Sequence, residues 1–124
     1  MGVRMSMTKM KLEGTDAKAV RSFLAAIEAF RAIRPTMPLQ YVVAFLLVAT
    51  EEGLGVSDYA ERAGVSMSVM SRHLLDIGER NRHMEEGFGL VTARQNPLEL
   101  RRNEVVLTHK GRALLRQIIR QLER

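Results

Sequence analysis

Apolar residues recur at three- and four-residue spacing in two stretches of the N-terminal third, and this spacing predicts two helices. Thr15 can cap the first helix, which has to stop before Pro35. Pro38 opens the second helix, which runs to about Gly53 and is apolar on almost every side, so we expect it to be the central buried helix. The apolar stripe of the first helix consists of Val20, Phe23, Leu24, Ile27 and Phe30.

Two short helices joined by a tight turn are predicted next. Ser57 can cap the first of them, which ends at Gly64, and Ser66 can cap the second. Apolar residues at positions i, i+4 and i+7 of the second helix predict its buried face. These residues are Met70, Leu74 and Ile77.

A β-hairpin and a last helix complete the pattern. Residues 78–89 are polar and contain three glycines, which predicts a loop. Residues 90–94 and 104–108 are typical of strands, and Asn96-Pro97 between them indicates a turn. Thr108 can cap the last helix. The apolar side of that helix contains Ala113, Leu114, Leu115, Ile118, Ile119 and Leu122.

This order of elements predicts a mainly α fold with a small β-hairpin wing (α+β), that is, a winged helix-turn-helix. We expect residues 1–13 to be a flexible N-terminal tail and residues 14–124 to be a single domain. Within that domain the predicted helix-turn-helix covers 57–82, the wing covers 90–108, and the terminal helices cover 15–34 and 109–124.

The amino-acid composition limits the kinds of binding partner that the protein is expected to have. The 124-residue chain has a net charge of +5, no cysteine, and no apolar run long enough for a membrane span, so we expect a cytoplasmic protein without disulfides. Residues 71–124 carry 11 Arg or Lys and 7 Asp or Glu, so the positive excess lies in the C-terminal half. Such a balance favours a polyanionic partner, although a solvated charged surface would show the same balance.

The outward face of the second short helix carries chemistry suited to double-stranded DNA. With the apolar face inward, short hydroxyls and Arg72 face outward, and Arg72 can reach guanine O6 and N7 in the major groove. Ser66 leaves the helix N-terminus open to phosphate, and His73 is a further phosphate candidate. Arginines around the hairpin can contact flanking phosphates or the minor groove. The predicted DNA contacts are Ser66, Met67, Ser68, Ser71, Arg72, His73, Arg94, Arg101 and Arg102.

Residues 57–77 and 90–111 resemble the winged helix-turn-helix of the multiple-antibiotic-resistance repressor (MarR) family. In the first segment, Ala63-Gly64 ends a short helix, Ser66 caps the next helix, and Ser71-Arg72 lies in its second turn. In the second segment, Glu99-Leu100-Arg101, a strand and Leu107-Thr108-x-x-Gly111 match the spacing of the family's wing. The chain departs from the family in having Glu99 where Asp is usual, and in a longer loop at 78–89.

The resemblance implies a homodimer in which the terminal helices form the interface and Arg101 enters the minor groove. The last helix is short here, so the first helix is expected to contribute more of that interface. The residues predicted to form it are Val20, Phe23, Leu24, Ile27, Leu115, Ile118, Ile119 and Leu122. The alternative is that both terminal helices only cover the core of the monomer.

Other assignments of the same residues stay open at this point. Arg72 could pair with Asp76 at i+4, and Arg101 could pair only with Glu99 on a passive hairpin. Ser68 and Ser71 could be plain solvated positions, and Met67 could pack inward.

The function that the pattern predicts is a sequence-specific transcriptional regulator, acting as a repressor and binding a pseudo-palindromic operator as a homodimer. The alternatives are a protein-interaction adaptor and a nucleoid or replication-associated DNA binder without operator specificity. The spacing of the three histidines predicts no metal site, no cofactor motif or catalytic group stands out, and a small-molecule effector of unknown identity is left open.

Overall fold

Five helices and one β-hairpin make up the part of the chain that the structure describes. The structure is a computed structural model that describes residues 9–80, 83, 85–99 and 102–123. The elements, numbered here in chain order, are α1 (Gly14–Arg31), α2 (Leu39–Thr50), α3 (Val56–Ala63), α4 (Met67–Asp76), β1 (Val91–Gln95), β2 (Asn103–Leu107) and α5 (His109–Glu123). This is the predicted order, so the α+β winged helix-turn-helix architecture is confirmed. Of the predicted tail at 1–13, residues 1–8 lie outside the described residues.

Helix α1 packs on the domain through its small residues. Its buried positions are Ala17, Ala26, Ala29 and Phe30, and the Phe30 ring meets the Phe45 ring of α2 edge-on, with 5.7 Å between the ring centroids. The larger apolar residues of the predicted stripe therefore lie mostly on the outside. The expected Thr15 cap is wrong, because the helix begins at Gly14 and puts Thr15 inside its first turn. The helix also ends three residues before the predicted boundary.

Helix α2 forms the centre of the core with one face only. Ala44, Phe45 and Val48 are fully buried. The prediction of burial on nearly every side is wrong, because a stripe at i, i+4 and i+7 stays exposed on the opposite face. That stripe consists of Leu39, Val43 and Leu46. The helix ends at Thr50 rather than near Gly53.

Helix α3 begins one residue before the predicted cap Ser57. The Asp58 carboxylate accepts a hydrogen bond from the Gly55 N–H (3.0 Å), so Gly55 is the capping residue. Tyr59 is fully buried, and its hydroxyl donates to the Glu51 carbonyl at 2.7 Å. Burial raises the pKa of this phenol. The end of α3 falls as predicted, with Gly64 in the left-handed conformation (φ 70°).

The wing is an antiparallel pair in which Val91 faces Leu107 and Arg94 faces Glu104. Backbone bonds tie it to the turn after α2: the Gly53 N–H donates to the Val105 carbonyl at 2.8 Å, and the Val105 N–H donates to the Leu54 carbonyl at 2.9 Å. These bonds add the backbone at residues 53–54 to the edge of β2.

The loop before β1 is partly paired with itself. Arg80 forms an isolated antiparallel bridge with Glu86, and Gly78 forms a parallel bridge with Val91. The Gly89 N–H donates to the Gly78 carbonyl at 2.8 Å. The described residues of the predicted loop are therefore partly hydrogen-bonded to one another next to the end of α4.

The junction between β2 and α5 follows the Leu-Thr-x-x-Gly motif closely. The Thr108 hydroxyl caps α5 as predicted, accepting from the Gly111 N–H at 3.0 Å, and it donates to the Gly89 carbonyl at 2.5 Å. Gly111 lies against the backbone of Leu90, so a Cβ at position 111 would overlap the Leu90 carbonyl oxygen. The motif therefore allows α5 to pack closely on the backbone at Leu90, where the chain enters the wing.

One continuous core links all the elements. Its largest fully buried side chains are Tyr59, Phe45, Met70, Ile77, Leu90, Val48 and Val91. No helix among the described residues is both long and apolar enough to cross a membrane.

The crossing at Gly111 gives a test of the fold. We expect Gly111→Ala to lower the free energy of unfolding by about 3 kcal/mol or more, because backbone has to move to admit the methyl group. The matched substitution Ala113→Gly, at an exposed position of the same helix, should cost about 1 kcal/mol. Urea denaturation followed by circular dichroism measures both, and equal losses for the two variants would contradict the crossing.

Candidate nucleic-acid interface

Helix α4 separates a buried face from an exposed one. Met70 and Leu74 are buried, and Ile77 at the end of the helix is fully buried, as the spacing predicted. Ser66 caps the helix through its hydroxyl, which accepts from the Val69 N–H at 3.2 Å. The opposite face is thereby fixed toward solvent.

The exposed face carries the residues predicted to contact DNA. Met67 is 59% exposed, which answers the open question of whether it packs inward. Ser68 is exposed and lies 3.2 Å from the Ser66 hydroxyl oxygen, and Ser71 is half-buried. Two hydroxyls and the helix N-terminus therefore lie together at one end of α4, an arrangement that favours a phosphate oxygen.

Arg72 is exposed on the same helix and makes no ion pair or hydrogen bond with any residue that the structure describes. Its alternative partner Asp76 accepts a hydrogen bond from the Tyr41 hydroxyl at 2.7 Å. The i+4 pair with Asp76 is not formed, and the guanidinium group of Arg72 is open to an external acceptor.

His73 lies apart from the rest of the predicted contact set. Its ring is half-buried and meets the Tyr41 ring edge-on, with 5.5 Å between centroids. Tyr41 belongs to α2, so this contact joins α4 to the central helix. The structure gives His73 a packing contact that its position next to Arg72 did not indicate.

The two described wing arginines are both paired with carboxylates. Arg94 Nε donates to Glu104 Oε1 at 2.8 Å across the hairpin, and the Arg94 side chain is 64% exposed against 11% for Glu104. Arg102 Nη2 lies 3.3 Å from Asp58 Oδ2, both side chains being partly exposed. One ion pair thus joins the two strands of the wing, and the other joins the wing to the start of α3. Arg101, with its alternative pairing to Glu99, lies outside the described residues.

The tip of the wing is organised by Asn96. Its side-chain oxygen accepts from the Leu98 N–H at 2.8 Å and from the Glu99 N–H at 3.2 Å. Its own N–H donates to the Arg102 carbonyl at 2.8 Å. This turn presents Leu98 to solvent with 96% of its surface exposed.

The predicted dimer residues divide into three groups. Phe23 is 62% exposed, and four other apolar residues of α1 and α5 are also exposed: Val20, Leu24, Ile119 and Leu122. Ile27 and Leu115 are half-buried. The assignment of Ile118 to a surface is wrong, because it is 5% exposed and packs in the core of its own chain.

Two residues that position the wing were not singled out by the sequence pattern. Glu104 is an acid on an otherwise buried strand, and only the register places it opposite Arg94. Asp58 is 44 positions from Arg102, so no local pattern connects them. Among the described residues, no three His, Asp or Glu side chains come close enough to hold a metal ion.

The two arginine pairs differ in burial, and this difference can be tested. Arg94→Ala leaves the buried Glu104 carboxylate without its cation, so we expect it to lower the free energy of unfolding by about 1–2 kcal/mol. Arg102→Ala removes a more exposed pair and should cost about 0–1 kcal/mol. Thermal or urea denaturation of both variants measures the difference, and a larger loss for Arg102→Ala would contradict it.

Comparison with known proteins supports the fold. The sequence matches no protein-family model and no curated protein. Among solved structures, a MarR-like transcriptional regulator from Thermotoga maritima has 19% identity and a TM-score of 0.62, over 91% of this chain and 77% of that one. The RV1404 protein from Mycobacterium tuberculosis has 16% identity and a TM-score of 0.62, over 94% and 79%. The crystal structure of MarR has 20% identity and a TM-score of 0.56, over 92% and 77%.

At these identities the likeness concerns the three-dimensional arrangement. It covers nearly the whole chain, so it includes the terminal helices as well as the helix-turn-helix and the wing. The chain has the MarR-like winged helix-turn-helix fold.

Proposed function

We propose that this chain is a sequence-specific transcriptional regulator that binds double-stranded DNA. The observation that carries the proposal is the exposed face of α4, where a capped N-terminus, hydroxyls and the guanidinium group of Arg72, which pairs with no described residue, share one helix. The likeness of the fold to transcriptional regulators supports the same function.

In the proposed complex, α4 enters the major groove. Arg72 donates two hydrogen bonds to guanine O6 and N7, and the Ser66–Ser68 end of the helix meets a phosphate. The wing lies beside the adjacent minor groove. Arg94 and Arg102 each keep N–H groups beyond those that bind Glu104 and Asp58, and these groups are available to phosphates.

The functional unit that we propose is a homodimer. Helices α1 and α5 pack on each other within one chain, yet each keeps large apolar side chains in water on its outer side. Phe23 is the largest of these. A second copy covering this face would remove the exposed apolar surface, at about 25 cal/mol per Å² of area buried. Two α4 helices would then reach a pseudo-palindromic site with half-sites about one helical turn apart.

The proposed mode of action is repression, in which the dimer occupies its site and excludes polymerase. Repression needs only tight and specific binding. A small-molecule effector would act by favouring one spacing of the two α4 helices, and its identity stays open.

Selection from a pool of random duplex DNA tests the function directly. The protein is incubated with the pool near physiological salt, because affinity falls steeply as salt rises, and bound duplexes are sequenced. Enrichment of an inverted repeat is the expected result. Binding without enrichment would replace the proposal by an architectural role, and absence of binding would replace it by an adaptor role.

Arg72→Ala tests the base-reading role on the selected duplex. We expect it to weaken binding by about 1–3 kcal/mol and to relax specificity at one base pair per half-site. Arg120→Ala, an exposed arginine in the last turn of α5, controls for the loss of one positive charge. Fluorescence anisotropy with single-base variants of the duplex measures both effects. Equal loss on every sequence for Arg72→Ala would assign it to phosphate contact instead.

Phe23→Glu tests the dimer. A charge in the centre of the proposed interface is expected to shift sedimentation from dimer to monomer and to reduce DNA affinity at least tenfold, because a half-site contributes only part of the contacts. Leu39→Glu places the same charge on another exposed apolar residue, in the first turn of α2, and should leave the dimer intact. A Phe23→Glu variant that sediments like the wild type would show that the interface lies elsewhere.

A further inference from the structure

The tip of the wing holds an apolar side chain that makes almost no contact with its own chain. Leu98 is 96% exposed, more than any other large apolar residue of the described chain. Its backbone is fixed by the Asn96 side chain, and the turn is closed by the bond from the Arg102 N–H to the Glu99 carbonyl at 2.9 Å. The backbone at Leu98 is thus held by hydrogen bonds while its side chain faces solvent.

Charge on either side of the tip indicates the kind of surface that covers it. Arg94 and Arg102 lie four positions before and after Leu98, and both guanidinium groups are substantially exposed. Glu99 is the exposed carboxylate next to Leu98, and it would oppose a phosphate. A surface that offers anions on two sides and a narrow cleft between them, in which one apolar side chain can wedge between stacked bases, fits this arrangement.

The minor groove of DNA is such a surface, and its width suits a single side chain. It is about 6 Å wide, so a two-stranded ribbon cannot enter it but one side chain at the tip of a ribbon can. Its edges are lined by phosphates, and apolar side chains are known to contact its floor or to wedge between base steps. Among the described residues of the wing, Leu98 is the most exposed large apolar side chain.

We propose that Leu98 is an apolar minor-groove contact that determines which base pairs are accepted beneath the wing. This inference rests on the proposed DNA-binding function and adds a contact by which that function reads sequence. The amino group N2 of guanine projects into the minor groove, so it obstructs an apolar side chain and loses its hydration beneath it. A·T pairs and flexible pyrimidine–purine steps are therefore preferred at this place.

Inosine gives a test that leaves the major groove unchanged. Inosine lacks the N2 amino group of guanine but keeps O6 and N7, so a contact in the major groove does not distinguish the two. Versions of the selected duplex are built with G·C or with I·C at each pair flanking the α4 contacts. The wild type is expected to bind the I·C version about tenfold more tightly at one position per half-site. In Leu98→Ala this ratio should fall to near one.

Two control variants isolate the contact. Leu39→Ala removes an exposed leucine from α2 and should keep the wild-type ratio, as should Arg72→Ala at its lower overall affinity. Leu98→Ala should unfold at the same temperature as the wild type, because the side chain packs on almost nothing.

The outcomes separate the inference from the proposed function. A wild type that binds no duplex overturns both. A wild type that binds the selected site with equal affinity for I·C and G·C overturns the contact and leaves the regulator standing. A Leu98→Ala variant that keeps the tenfold ratio also overturns the proposed contact. The contact is supported if Leu98→Ala loses the ratio while Leu39→Ala and Arg72→Ala keep it.

Discussion

The structure depends on the crossing of the chain at Leu90. The Leu90 N–H donates to the Ile77 carbonyl at the end of α4 (2.8 Å), and its carbonyl accepts from the Thr108 N–H before α5 (3.1 Å). Gly111 packs on the same carbonyl because it has no side chain. One buried residue therefore joins the exposed helix, the base of the wing and the last helix. These bonds hold α4 and the wing in a fixed position relative to each other.

A second set of contacts holds the wing from its other side. Glu52 accepts from the Leu107 N–H at 2.7 Å and from Arg112 at 3.0 Å, so it binds β2 and α5 together. Asp58 and Glu104 hold the two wing arginines. The charges of the two described wing arginines are thus compensated, whereas Arg72 on α4 pairs with no described residue. A paired arginine would have to give up part of an existing bond to meet an external anion, whereas Arg72 would not.

Local sequence patterns predicted the order of the helices and strands well, but they predicted the tertiary partners of individual residues less well. The order of elements, the buried face of α4 and the caps Ser66 and Thr108 follow from spacing and from short-range hydrogen bonding, both of which the sequence contains. The caps assigned to Thr15 and Ser57 are wrong. Helix α1 begins after Glu13 without a side-chain capping bond, and α3 is capped at Gly55, whose N–H binds the Asp58 carboxylate. The roles of Glu104 and Asp58 were not predicted, because strand register determines the partner of Glu104 and a tertiary contact determines that of Asp58.

The terminal helices show a further limit of reasoning from periodicity. The apolar stripe of α1 was a sound prediction of a helix, yet the domain packs against its alanines and leaves Val20, Phe23 and Leu24 outside. Helix α5 divides in the same way, with Ile118 inside and Ile119 outside. The apolar residues of each helix cover more of its surface than the rest of the domain can bury, so a second surface is needed to bury the remainder. Small residues allow α1 to lie close to α5 within the chain, and the larger residues remain for a second surface. A single chain covers only the first of these surfaces, and this is the physical reason for proposing a dimer.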